Sequence, residues 1–243
     1  MTRRSTTVLL TLLCAALVGS VTTLAQNFAV MPTPRAEVDW WMGRYYANVR
    51  QAEAGDVDLL FIGDSITHGW ERGGLDTWNK YYAHRKPANF GFGGDRTQHV
   101  LWRLINGHID RMSPKVAVIM IGTNNASSDT PNEIALGIRA ICNTLRALLP
   151  KTKILVLGIF PRGTSPDNWL RGTTAVVNTQ IAALADGEWI HYLDIGSAFL
   201  EADGTLPASV MPDQLHPNER GYQIWAEAME PTLAKLLGDQ PVR

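Results

Sequence analysis

The sequence predicts an α/β fold, a three-layer α/β/α sandwich around a five-stranded parallel sheet, and three observations predict it. Five short apolar runs recur, at residues 57–62, 88–92, 116–121, 154–159 and 189–193. Most are unbroken rather than alternating, as expected of strands buried on both faces of a parallel sheet. Stretches of helical periodicity lie between and after them, at about 96–106, 131–149, 168–186 and 217–237. Strands separated by helices imply right-handed crossovers, which place helices on both faces of one sheet. Helix punctuation agrees. Asp129 or Thr130 can cap the helix that Pro131 opens, Pro150 follows its end, and Pro217 stands at the start of the last helix.

The chain has 243 residues, 45% of them hydrophobic and 19% charged, the profile of an ordinary globular protein. Its first 25 residues differ from the rest. Arg3 and Arg4 precede an apolar run over residues 8–18, and Thr23-Leu24-Ala25 offers small residues at the −3 and −1 positions of a cleavage site. This is the pattern of a secretory signal peptide, with a retained membrane anchor as its rival. The expected division is a leader over 1–25, an extended Pro-containing lead-in over 26–38, and one catalytic domain over 39–243. The expected location is secreted or periplasmic, with no stable membrane insertion once the leader is cut.

Charge and cysteine content exclude several classes. Removing Arg3 and Arg4 from 22 basic residues leaves 20 against 23 acidic ones, a charge of −3. That balance makes no electrostatic footprint for nucleic acid, and none is expected as a partner. Cys14 leaves with the leader and Cys142 is then alone, so no intrachain disulfide can form. No Cys/His cluster has zinc-ligand spacing, so neither metal nor cofactor is expected. Nothing in the sequence sets the oligomeric state, and a homodimer stays open.

In an open α/β sheet, functional groups gather at the carboxyl ends of the strands. Gly63-Asp64-Ser65 follows the first apolar run, Gly93-Gly94-Asp95 the second, Gly122-Thr123-Asn124-Asn125 the third and Pro161-Arg162-Gly163 the fourth. Ser65 is a candidate nucleophile if a base lies near it, and equally a plausible N-cap on local grounds. Its surroundings lack the spacing of the Gly-x-Ser-x-Gly elbow. Asp213 stands three residues before His216 at the entry to the last helix. That spacing lets the carboxylate hold one imidazole nitrogen while the other faces a nucleophile. The remaining histidines, His68, His84, His99, His108 and His191, are read as ordinary. A glycine N–H and the Asn124 amide can meet an oxyanion. Each feature alone is weak, and their convergence on one crevice is the signal.

Together these blocks resemble the SGNH (GDSL) hydrolases: Gly63-Asp64-Ser65-Ile66, the glycine run 89–95, Gly122-Thr123-Asn124-Asn125, and Asp213-Gln214-Leu215-His216. Longer stretches are similar to one branch, the catalytic subunits of intracellular platelet-activating-factor acetylhydrolase. They include Gln98-His99-Val100-Leu101-Trp102-Arg103-Leu104 and the run 157–163, and the similarity extends from about Trp40 to Leu237. The resemblance implies a flavodoxin-like sheet and a triad of Ser65, His216 and Asp213. It also implies an oxyanion hole from the Ser65 N–H, the Gly94 N–H and the Asn124 side chain, with Gly94 taken over Gly93 as the second glycine of the pair. Two departures stand out: the leader, and the residues 67–72 with Trp169, where pocket walls arise.

The expected activity is hydrolysis of short-chain, chiefly acetyl, carboxylic esters through an acyl-enzyme. The expected substrate is a small-molecule or polysaccharide ester, with deacetylation of carbohydrate as the leading reading. A lysophospholipase or acetylhydrolase acting on lipid is the alternative, and a non-catalytic binding protein on a hydrolase scaffold a second.

Overall fold

In the computed structural model, which describes residues 26–242, five strands pair in the order β2-β1-β3-β4-β5, all parallel. They are β1 (Leu59–Gly63), β2 (Pro87–Gly91), β3 (Val116–Met120), β4 (Lys153–Leu157) and β5 (Ile190–Leu193). Each falls on one of the five apolar runs. The expected leader over 1–25 lies outside the described residues.

Side-chain alternation along the strands divides the core in two. Leu60, Ile62, Ala117, Ile119, Ile154 and Val156 point to one face. There they meet α4 (Thr97–Asn106), α5 (Pro131–Leu148) and α6 (Trp169–Ala182). Leu59, Phe61, Val116, Val118 and Leu155 point to the other, against Trp70, Tyr82 and α7 (Glu219–Leu237). Because both faces are covered, an apolar residue at every strand position is satisfied, which is why the runs are unbroken. Each large aliphatic or aromatic side chain buried here contributes roughly 1.5–3 kcal/mol, so the core needs no cross-link. Cys142 is buried and free, its thiol pushed up to about 12 by burial, and is unreactive packing. None of the described helices is long and apolar enough to cross a membrane.

Helix ends follow the punctuation with small corrections. Thr130, not Asp129, caps α5, and its hydroxyl and Glu133 form a reciprocal capping box with Pro131 in the first turn. Pro217 stops short of α7, which Asn218 caps by accepting from the Gly221 N–H. The lead-in holds a single 3₁₀ turn, Phe28–Val30, capped by Asn27.

Two helices were not anticipated, α1 (Asp39–Ala54) and α3 (Leu75–Tyr81), while the helix start expected at Ser65 is the four-residue α2 (Ser65–His68). Only Trp41, Tyr45 and Ala52 of α1 are buried, a stripe too thin to register as amphipathic periodicity. Ala52, near the end of the helix, joins the main core. Trp41 and Tyr45 pack on Phe92, just past β2, as a small satellite cluster.

The chain steps from β1 outward to β2 and then crosses back to β3 on the other side of β1. A crevice opens outside the carboxyl ends of the strands at such a reversal. The segments after β1, β2 and β3 therefore share one crevice.

Candidate active site

Gly63 ends β1 where no side chain would fit. A Cβ there would lie 2.1 Å from Thr67 Oγ1 and 2.4 Å from the Met120 carbonyl. The chain can then turn directly into α2, whose N-cap is Asp64, with Oδ1 accepting from the Ile66 N–H at 2.9 Å. The cap role that Ser65 could have filled thus belongs to its neighbour. Asp64 is fully buried, and burial pushes its carboxyl up to about 7. Ser65 occupies the first helical position, and its hydroxyl takes no part in the cap.

That hydroxyl meets His216, Ser65 Oγ to Nε2 at 2.8 Å, across 151 residues of chain. His216 Nδ1 lies 2.6 Å from Asp213 Oδ2. Asp213 Oδ1 accepts the N–H groups of His216, at 2.7 Å, and Leu215, at 3.1 Å. Burial alone would raise this carboxyl, but the His216 ring and the two backbone donors outweigh it and hold it below the usual carboxylate range. An ionised Asp213 only accepts, so the imidazole proton sits on Nδ1 and Nε2 is the acceptor for Ser65. Gln214 takes φ +61° inside this turn, a left-handed conformation uncommon outside glycine. It is pinned on both sides: its N–H donates to Met211 O at 2.8 Å, and its carbonyl accepts from Gly163 N–H at 2.9 Å.

After β2, Phe92 to Asp95 form a turn closed by the Asp95 N–H on Phe92 O at 3.1 Å, with Gly94 at φ +75°. The Asp95 side chain is completely buried and anchors the turn. Trp41 Nε1 donates to one oxygen at 2.7 Å and Arg103 Nε to the other at 2.8 Å. Burial pushes its pKa up, yet every partner is a donor, so the arrangement holds a carboxylate. After β3, Asn124 Nδ2 donates to Asp95 O at 2.9 Å, which brings the amide beside the glycine turn. The adjacent Asn125 is structural. It is buried, accepts the Thr97 N–H at 3.1 Å and donates to Asp129 at 2.6 Å. Arg162, after β4, donates to Thr123 O at 3.1 Å and braces the same loop.

Ser65, His216 and Gly93 line an open cleft of about 540 Å³ with Trp40, His68 and Tyr222. A second cavity of the same size, beside Tyr192 and Asp194, is lined by Ile159 and Pro161 of the segment after β4 but by none of the triad or oxyanion candidates. The cleft is therefore distinguished by its chemistry rather than by its volume. Its walls depart from sequence expectation. His68 is not an ordinary surface histidine: burial, reinforced by Arg44, lowers its pKa to about 4 and keeps it neutral, and it stacks on Trp40 at 6.2 Å. Residues 67–72 do supply wall, through His68, Gly69 and Arg72, whereas Trp169 is 63% exposed at the start of α6 and is not part of the lining. Trp40 and Tyr222 come from helix positions with no local signal, and only the fold brings them to Ser65.

The model of the GDSL-like lipase/acylhydrolase family matches residues 61–224, from β1 through the Asp213–His216 turn. Platelet-activating factor acetylhydrolase IB subunit alpha1 of Rattus norvegicus is 37% identical over 216 residues, covering 87% of this chain and 91% of its own length. The alpha2 subunit from the same organism is 36% identical over 219 residues, covering 88% and 94%. Among solved structures, a GDSL-like lipase from Bacteroides thetaiotaomicron aligns with TM-score 0.63 at 21% identity, covering 79% of this chain and 97% of that one. An acetylxylan esterase from Geobacillus stearothermophilus aligns with TM-score 0.59 at 21% identity, covering 76% and 95%. The five-stranded parallel sheet is the architecture these neighbours share. The chain is a carboxylic ester hydrolase and belongs to the GDSL-like lipase/acylhydrolase family.

Proposed function

We propose that this hydrolase removes short acyl groups, acetyl above all, from carbohydrate esters, with Ser65 as nucleophile. The observation that carries the reading is the continuous relay Ser65 Oγ–His216–Asp213, with links of 2.8 and 2.6 Å. His216 Nε2 takes the Ser65 proton as Oγ adds to the ester carbonyl. The tetrahedral oxyanion is met by the N–H groups of Ser65 and Gly94 and by Asn124 Nδ2. Collapse expels the alcohol, which takes the proton from His216, and leaves an acyl-Ser65. Water, deprotonated by the same Nε2, adds to that ester and releases the acid. Asp213 holds Nδ1–H throughout and stabilises the imidazolium.

Acetyl is favoured because the names of the platelet-activating factor acetylhydrolases and of the acetylxylan esterase agree on it, although their alcohols differ. Carbohydrate is favoured by the cleft wall. Trp40 is 48% exposed beside Ser65, flanked by His68 and Arg72. A flat indole offers a face to a sugar ring, and the imidazole and guanidinium offer partners to its hydroxyls. The identity to acetylhydrolases named for a lipid mediator supports a second reading, a phospholipid acetyl ester.

Rates on acetylated xylo-oligosaccharide, an sn-2 acetyl phospholipid, and 4-nitrophenyl acetate through octanoate decide between them. If only a short acyl chain is accommodated, each further CH₂ forfeits about 0.8 kcal/mol of burial, so kcat/KM should fall steeply from acetate to octanoate. Greater activity on octanoate, or turnover of the phospholipid and none of the saccharide, overturns the substrate assignment. Ser65→Ala should abolish both ester hydrolysis and labelling by a fluorophosphonate, and retained hydrolysis would overturn the nucleophile. The reading includes export, supported by the basic start, apolar run and small-residue site of residues 1–25.

A further inference from the structure

We propose that Arg35, in the lead-in before α1, is a positioning residue that sets which way the Gly93–Gly94 peptide faces. It thereby keeps the Gly94 N–H available to the oxyanion. The inference rests on the reading of Ser65 as nucleophile and Gly94 as a donor.

The turn from Phe92 to Asp95 has two glycines at its centre, and Gly94 takes the positive φ of the third residue of a type II turn. Type I and type II turns differ by reversal of the central peptide. Two glycines tolerate both, so their own sterics choose neither. An external contact must choose, and Arg35 supplies it: Nη1 donates to Gly93 O at 2.7 Å. In a planar trans peptide the C=O and N–H lie on opposite edges. Holding the Gly93 carbonyl on the guanidinium therefore directs the Gly94 N–H the other way. Among the described residues this N–H has no acceptor of its own. Reversal of the peptide would swap the two groups and place a carbonyl oxygen where a donor is needed.

Arg35 is itself held. Its guanidinium lies 3.7 Å from the buried Asp95 carboxylate and 5.9 Å from the centre of the Trp40 ring, and its side chain is 24% exposed. Its backbone carbonyl accepts the Val38 N–H at 3.0 Å, at the entry to α1. It also fills the space over the turn, since a Cβ on Gly94 would sit 3.0 Å from Nη1. A charge-assisted bond to one end of a peptide further polarises it, which strengthens the N–H at the other end.

The test compares Arg35→Met, Arg35→Gln and Arg35→Lys with the parent on 4-nitrophenyl acetate, with Ser65→Ala as control. Losing one oxyanion donor costs about 10²–10³-fold in kcat, so a donor left free to turn away should cost about 10- to 100-fold. Arg35→Met should lose that factor in kcat with KM within about twofold. Its affinity for a boronic acid that adds to Ser65 should fall by the same factor. Arg35→Lys, which keeps one charged donor for Gly93 O, should recover most of kcat, and Arg35→Gln should fall between. Parental kcat in the Met variant overturns the inference, as does a loss carried wholly by KM or thermal stability. If the Met variant does not fold, equal kcat in the Gln and Lys variants overturns it. Activity surviving in Ser65→Ala would instead refute the nucleophile reading, independently of Arg35.

Discussion

Asn124 Nδ2 donates to the main-chain carbonyl of Asp95 at 2.9 Å across 29 residues, joining the loop after β3 to the glycine turn after β2. One amide hydrogen is used in this bond, which leaves the other for the oxyanion in the proposed reading. Asn124→Ala should lower kcat about 10²–10³-fold with KM little changed, because its donor matters chiefly in the transition state. The lost bond to Asp95 should cost about 1 kcal/mol of stability, a small shift in Tm. Parental kcat in this variant would remove Asn124 from the oxyanion hole.

Asp213 is bound to the imidazole and to two backbone N–H groups, and as Asn it could present a donor where an acceptor is needed. Asp213→Asn should lower kcat by about 10²–10⁴-fold through the wrong tautomer of His216. In the parent, the Asp213 carboxyl is held below its ordinary 3.8, so it stays ionised through mildly acidic pH. The acid limb of kcat/KM should therefore show no protonation step above pH 3.8 that belongs to Asp213. A step there, mapped to Asp213 by its absence in the Asn variant, would contradict the assignment.

His99 should make the fold acid-sensitive. Its Nδ1 accepts the Arg96 N–H at 3.0 Å, and burial, aided by Arg35, Arg96 and Arg103, lowers its pKa from 6.5 to about 4. The unfolded chain takes up the proton first. Stability from this residue is complete above pH 6.5 and is lost as pH falls toward 4. His68 shifts in the same direction, whereas Asp64, raised to about 7, loses stability as pH rises. The informative quantity is thus the difference between variant and parent. On moving from pH 7.5 to 4.5, the Tm of His99→Gln should fall less than that of the parent. Parallel curves would mean that folding does not shift the His99 pKa, and would contradict its lowering.

The exported form should begin at Gln26, the residue after Thr23-Leu24-Ala25. Intact-mass measurement on protein recovered from the producing cell checks this. A membrane-bound form that retains Met1 would convert the leader into an anchor outside the same catalytic domain.

The sequence by itself determined the sheet and the chemistry. Both faces of the sheet are covered, so strand residues such as Leu59–Gly63 and Val116–Met120 must be apolar throughout, and an unbroken run is a local signal. Ser65 and Asn124 could be singled out because strand ends collect in one crevice, and Asp213 and His216 by their spacing at the entry to the last helix; the structure brings Ser65, His216 and Asp213 into hydrogen-bond contact. The tertiary structure alone decided the rest. It gave the cap of α2 to Asp64, packed Trp41 and Tyr45 of α1 on Phe92 as a satellite cluster, and turned His68 from a bland residue into a neutral wall beside Trp40. It also placed Arg35 on the Gly93 carbonyl, 58 residues away. These relationships join segments that share no periodicity. Burial and hydrogen-bond partners are properties of a position in space, and a position in space exists only once the chain has folded.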